Sequence, residues 1–190
     1  MENKNLKEYL KNYEKLFSDR SEDSERYFNT INKLLLFNNK EKLEKNKNIL
    51  DLGSGDKSFY NLCLGKGFNM TEIDGAAGIK FEKDKLPYED NTFDFIIFSA
   101  VLEHLYNANL ILSQIYRTLK KDGLLITLTP NFTYAYKNFY DDPTHLHPYT
   151  PKSLLKILQM NNFKENYVNP FLVNKSVNYW NLPFKFFLAS

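Results

Sequence analysis

The segment ILDLGSGD, from Ile49 to Asp56, joins an apolar run to a stretch with helical spacing through two glycines, Gly53 and Gly55. Glycines at such a crossover let the backbone approach a ligand closely, and the N-terminus of the next helix can face a ligand carboxylate. An ordinary tight turn would read the same way. Asp74 stands 23 residues beyond Asp51, at the end of the following apolar run. An acid at that distance can accept hydrogen bonds from both hydroxyls of a ribose. Loop and acid together fit a nucleoside, with a dinucleotide as the alternative. The dinucleotide fingerprint wants a third glycine where this chain has Ser58, because a pyrophosphate needs that loop. This difference favours a nucleoside without phosphates.

A second group of chemically capable residues lies in YDDPTHLHPYTP, from Tyr140 to Pro151. Histidine titrates in the range needed to take a proton from a hydroxyl or amine. His145 is the first candidate for such a general base, and bracing of the loop is the competing role. His104 faces the same choice, whereas His147 reads as structural. Asp141, Asp142, His145 and His147 are ordinary ligand types, but Pro143 and Pro148 disrupt any regular spacing, so no metal is expected. Phe132, Tyr134, Tyr136, Phe139 and Tyr140 alternate imperfectly ahead of this segment. They suit either an apolar acceptor pocket or the packing of the loop.

These residues need elements to position them. Short apolar runs at Asn48–Leu52, Asn69–Asp74, Ile79–Phe81, Phe93–Ser99 and Leu124–Thr129 alternate with helical stretches. That alternation predicts a parallel sheet with helices on its faces. One helix follows the glycine loop and carries Phe59, Leu62 and Cys63. Another presents Ala108, Ile111, Leu112, Ile115 and Leu119 as one stripe, after which Asp122 and Gly123 turn the chain into the next strand. Thr150 before Pro151 is an N-cap followed by a first-turn proline, starting a helix with Leu154, Leu155 and Leu158 as its buried face. Ahead of the sheet, Leu6, Tyr9, Leu10, Tyr13, Leu16 and Phe17 form an apolar stripe. The polar stretch Ser18–Ser24 interrupts it, and Tyr27, Ile31, Leu34 and Leu35 resume it.

Composition narrows the classes. The 190 residues are 43% hydrophobic and 25% charged, the balance of a folded domain. A net charge of +2 with arginines only at 20, 26 and 117 argues against a nucleic-acid partner, which would need clustered arginine forks. The opening MENKNLKEYL does not read as a signal peptide, no apolar run reaches the ~20 residues of a membrane span, and a cytoplasmic protein is expected. Cys63 is the only cysteine, which leaves no internal disulfide.

The stretches LPYEDNTFDFIIFSAVLEHL, from Leu86, and IYRTLKKDGLLITLTPN, from Ile115, decide between the ligands. With the glycine loop before them, they resemble class I S-adenosylmethionine-dependent methyltransferases, notably the broad group with an LPF-like turn, an FD strand and an LEH segment. The resemblance runs from Ile49 to Phe163. It implies a Rossmann-like three-layer α/β sandwich: a mostly parallel twisted sheet with helices on both faces, preceded by N-terminal helices. One domain over 1–190 is expected, with helices over 1–46, a cofactor core over 47–131, and an acceptor loop, last helix and closing strand over 132–190. By resemblance Gly53 and Gly55 line the methionine end of the cofactor, with Asp51 and Ser54 as further cofactor-binding residues. Asp74 binds the ribose, with Gly75 as a further cofactor-binding residue, and Phe81 and Glu82 border the adenine. Ser99, Ala100 and Val101 close the pocket, with His104 beyond them. His145 faces the acceptor, and S-adenosylhomocysteine is the product. Lys57 departs from the family pattern, since it occupies the usual place of the loop's last glycine. The implied acceptor is an oxygen or nitrogen of a small molecule, with a sugar or glycan precursor as the specific expectation and a homo-oligomer as the assembly. A non-catalytic cofactor-binding subunit or sensor is the alternative, and an NAD-dependent oxidoreductase the third reading.

Overall fold

The computed structural model describes residues 21–75, 78–164 and 166–168. The predicted helix over 6–17 and most of the predicted closing strand over 164–173 lie outside these residues. Four strands, β1 (Asn48–Leu52), β2 (Asn69–Ile73), β3 (Phe93–Ser99) and β4 (Leu119–Leu128), form one parallel sheet in the order β2-β1-β3-β4. The bounds of β1 and β3 agree with those read from the sequence. The chain winds outward from β1 to β2 and then returns to the other side of β1. The strand order therefore reverses between β1 and β3, and a crevice opens beyond their C-terminal ends.

Both faces of the sheet are covered, which explains why the strands read as nearly continuous apolar runs. On one face Ile49, Phe95, Ile97 and Ile126 meet Ile31 and Leu35 of α1 (Ser21–Phe37) and Phe59 and Cys63 of α2 (Ser58–Gly65). On the other, Leu50, Leu52, Ile96 and Phe98 meet Ile111, Leu112 and Ile115 of α3 (Asn109–Thr118) and Leu158 of α5 (Pro151–Met160). Between α3 and α5 the chain makes β4 and then α4, a single turn over Phe132–Ala135. The result is the three-layer Rossmann-like sandwich expected from the resemblance.

Four local readings change. The helix expected to resume at Tyr27 already starts within the polar stretch, at Ser21. Ser24 is buried and extends the Tyr27–Ile31–Leu35 stripe by one turn. Ile79–Phe81 makes no strand. Lys83 and Asp84 N–H groups bond the Lys80 carbonyl, and Phe81 packs edge-on to Phe98 in the core. The Asp122–Gly123 turn lies within β4 rather than ahead of it. Pairing advances from Phe93 to Phe95 on β3 while β4 advances from Leu119 to Leu124, a bulge in which Asp122 takes φ +64°. Gly123 fits only because it lacks a Cβ, which would stand 2.9 Å from the Lys120 carbonyl oxygen. On α5, Ile157 joins Leu154 and Leu158 against the core in place of Leu155.

Candidate active site

Residues from all four strand ends meet at the C-terminal edge of the sheet. After β1 the chain turns at Gly53, whose N–H donates to the Ile73 carbonyl at 2.7 Å. Its φ is +81°, and a Cβ there would stand 2.4 Å from Val101 Cγ2. Glycine is required twice over at this position, for backbone and for space. Gly55 follows at φ +53° and donates its N–H to Asp74 Oδ2 at 3.0 Å. The acid read from the sequence as a ribose partner is thus drawn to the loop itself.

Lys57 takes the left-handed conformation, φ +62°, that a glycine would adopt without cost. Its Nζ reaches Glu72 Oε1 at 2.6 Å, while Ser54 Oγ donates to Glu72 Oε2 at 2.7 Å. Glu72, which sequence reasoning overlooked, anchors both ends of the loop. These bonds hold its carboxyl below the usual range, with the Lys57 hydrogen bond the larger cause. Asp56 accepts the Ser58 N–H at 3.0 Å and supplies the start of α2.

Asp51 differs from its neighbours. It is buried, and its Oδ2 has no hydrogen-bond partner among the described residues. Burial first, and then the negative charges of Glu72, Asp74 and Asp56, push its carboxyl up to about 7. Tyr27 of α1, read from the sequence only as part of an apolar stripe, brings a second buried oxygen to this face of the sheet, close to Ser99 and Asp51. Burial raises its phenol too, with Asp51 adding to the effect. Unpaired buried oxygens are costly, and a cluster of acids around one of them suits a cationic group.

The remaining cofactor candidates line the same edge, with one exception. Phe81 is buried beside Gly53, and Gly75 follows Asp74 at the surface. Ser99 ends β3, and Ala100 turns the chain at φ +52° with its N–H on the Leu128 carbonyl. Val101 then packs against the loop. Glu82 is exposed and directed elsewhere, its Oε1 accepting the Asn107 N–H at 2.6 Å.

Beyond Val101 a 3-10 turn, Leu102–His104, brings His104 and His145 together, with their ring centroids 4.8 Å apart. The loop carrying His145 is joined to this turn by backbone bonds from Leu146 and His147 N–H to the Glu103 carbonyl, at 2.8 and 3.0 Å. Each histidine is oriented through Nδ1. That of His104 lies 3.1 Å from the Thr144 carbonyl and 3.0 Å from its hydroxyl, and that of His145 lies 2.6 Å from the Phe139 carbonyl. Thr144 spends its own hydroxyl proton on Asp142 Oδ1 at 2.6 Å. Carbonyls only accept, so Nδ1 carries a proton in both rings, and Nε2 is the nitrogen that can hold a lone pair.

Glu103, also overlooked although it sits in the LEH segment, is 1% exposed and accepts from Thr129 Oγ1 at 2.9 Å. Burial raises its carboxyl against the pull of hydrogen bonds from its own backbone and from Thr129. Asp142 Oδ2 stands 4.0 Å from His145 Nε2. His147 is turned away and stacks on Tyr149 at 4.7 Å. The loop aromatics divide. Phe139 is buried and stacks on His145 at 4.6 Å, while Tyr134, Tyr136 and Tyr140 are exposed.

Comparison with known proteins agrees with this architecture. A family described as a methyltransferase domain matches residues 20–166. An uncharacterised protein of Methanocaldococcus jannaschii is 31% identical over 167 residues, spanning 74% of this chain and 72% of that one. A shorter likeness, 36% over 64 residues, covers 31% of this chain and 26% of the ubiquinone/menaquinone biosynthesis C-methyltransferase UbiE of Desulfotalea psychrophila. The crystal structure of a SAM-dependent methyltransferase from Archaeoglobus fulgidus superposes with a TM-score of 0.59 at 24% identity, covering 80% of this chain and 73% of its own. A family match over most of the chain, on a fold of the same kind, makes this protein a member of the methyltransferase domain family, the class I S-adenosylmethionine-dependent enzymes.

Proposed function

We propose that the chain transfers the methyl group of S-adenosylmethionine to an oxygen or nitrogen of a small molecule, with a surface-glycan precursor as the acceptor class. The observation that carries the donor half is Asp51, a buried carboxylate with an unpaired oxygen below a glycine loop crowded by Asp56, Glu72 and Asp74. The ammonium and sulfonium of the cofactor relieve that crowding of like charges. Asp51, Gly53, Ser54 and Gly55 would hold its methionine end. Asp74 and Gly75 would take the ribose, Phe81 the adenine, and Ser99, Ala100 and Val101 the wall of the pocket. Glu82 would have to leave Asn107 to reach the adenine edge.

When bound, the cofactor supplies a sulfonium methyl, so that acceptor attack on carbon breaks the C–S bond and leaves S-adenosylhomocysteine. The protein's share is largely positioning of the two reactants. A hydroxyl or amine acceptor also loses a proton, and His145 is the group proposed to take it at Nε2. Its Nδ1–H is fixed on the Phe139 carbonyl and its ring on Phe139, which supports that orientation. His104 stands beside it as the second imidazole. The exposed tyrosines 134, 136 and 140 offer amphipathic surface of the kind that a sugar-bearing acceptor contacts. The glycan assignment rests on the likeness of the DDPTHLHPYTP segment to methyltransferases of that kind.

Calorimetric titration with S-adenosylmethionine and S-adenosylhomocysteine tests the donor half. Both bind the parent, and Asp74→Ala weakens them by about 1.5–3 kcal/mol through loss of a charge-assisted hydrogen bond. Folded parent protein that binds neither would overturn the reading. For the acceptor half, methyl transfer is followed across a panel of sugar, hydroxyl and amine acceptors, with His145→Ala lowering turnover while donor affinity is kept.

A further inference from the structure

Glu103, His104 and His145 each offer one ligand atom, and the three atoms lie within 4.8 Å of one another, a grouping found once among the described residues. Three observations set it apart from an incidental cluster. Both imidazoles donate Nδ1–H to backbone carbonyls, those of Thr144 and Phe139. Metal-bound histidines are held in this way, because the outer bond fixes the tautomer and turns the other nitrogen's lone pair to the ion. Glu103 is 1% exposed, so its carboxylate has given up nearly all hydration, and among the described side chains it is Thr129 that donates to it. Backbone bonds to the Glu103 carbonyl and the His104 Nδ1–H on Thr144 already join the loop to the 3-10 turn, so the Glu103 carboxylate is not needed for that join.

We propose that Glu103, His104 and His145 form a binding site for a first-row divalent cation of the zinc type. Two imidazoles and one carboxylate are a donor set for zinc and its neighbours, whereas magnesium prefers oxygen ligands throughout. Three protein ligands leave coordination positions open to water or to an acceptor oxygen. Asp142, with Oδ2 4.0 Å from His145 Nε2, lies close enough to orient such a water. The sequence alone suggested no metal. The set drawn from it, Asp141, Asp142, His145 and His147, omitted Glu103 and His104, which the fold brings to His145. Cation binding is independent of the acceptor proposed above, and only its catalytic use rests on that reading. With an ion in place, Nε2 of His145 would be a ligand and not the base proposed above, so the two roles are alternatives for that one nitrogen.

The test uses the full chain stripped with a chelator and titrated with zinc chloride by calorimetry, and with cobalt(II) followed by visible absorption. About one equivalent of each is expected to bind, and magnesium chloride is expected to give no heat. Glu103→Gln, His104→Ala and His145→Ala should each weaken zinc binding more than about 100-fold, beyond the loss of an outer partner. His147→Ala should leave it unchanged. Circular dichroism checks each fold, and His145→Asn replaces His145→Ala if the latter does not fold. Folded parent that takes up no zinc at sub-millimolar concentration, or uptake that survives all three ligand substitutions, would overturn the proposal. S-adenosylhomocysteine titrated into the same samples reports the donor site separately, so failure of either reading is seen by itself.

Discussion

Asp51 holds more electrostatic tension than any other group at the glycine loop. Its carboxyl is raised from the ordinary range near 4 to about 7 by burial and then by three neighbouring acids. The folded protein therefore keeps a proton that the unfolded chain releases between those values. Stability from that proton is complete below about pH 4 and is lost as the pH rises to about 7. Asp51→Asn removes the titration while keeping the shape. Urea denaturation at a series of pH values should show a flatter profile for the variant, which becomes the more stable protein at pH 7 and above. Parallel profiles would show that Asp51 titrates alike in both states. At the same scale, sequence spacing found Gly53, Gly55 and Asp74. It could not find Glu72, because a lysine and a serine gripping one carboxylate across two strand ends leave no local pattern. Lys57 illustrates the other direction. The sequence marks it as a misplaced glycine, and the structure accommodates it with a left-handed backbone and an ion pair to Glu72.

Elements were most legible where local physics fixes their ends. Thr150 and Pro151 announced α5, and a capping box forms, with Thr150 Oγ1 accepting the Ser153 N–H at 3.2 Å and Ser153 Oγ accepting the Thr150 N–H at 2.9 Å. Thr150→Ala should cost about 1 kcal/mol in denaturant titration and leave S-adenosylhomocysteine affinity untouched. An equal loss of ligand affinity would mean that α5 positions the cofactor loop directly. Less legible was the LPY turn, recognised as a motif without its cause. Arg117, at the end of α3, donates to the carbonyls of Leu86 and Tyr88 at 3.1 and 2.8 Å and to Asp90 at 2.7 Å. One long side chain thus fixes a turn some thirty positions earlier in the chain. Ile79–Phe81 failed as a strand because an apolar alternation specifies a buried face, and here packing of Phe81 on Phe98 buries it without a ladder. The bulge in β4 escaped notice because Asp-Gly reads as a turn wherever it occurs, and only pairing with β3 shows that the strand continues past it.

For the whole molecule, parallel pairing of β1 with β2 places the glycine loop and Asp74, at the ends of neighbouring strands, within one hydrogen bond of each other. A ligand seated there bridges segments far apart in sequence and should stabilise the fold as a unit. S-adenosylhomocysteine at a hundredfold excess over its dissociation constant should raise unfolding stability by about 2.7 kcal/mol, read as an upward shift in Tm. No helix among the described residues is long and apolar enough to cross a membrane. The sequence by itself determined the layered α/β architecture and the glycine turn after β1, since strand burial, helix caps and glycine turns follow from nearest neighbours and short periodicities, while its LPY, FD and LEHL motifs carried the resemblance to the family. Only the tertiary structure decided that Glu103 and His104 meet His145 across some forty residues, that Asp51 is left with an unpaired oxygen, and that Asp74 is first a partner of Gly55. Those facts depend on desolvation and on approach in space, which a linear string does not encode.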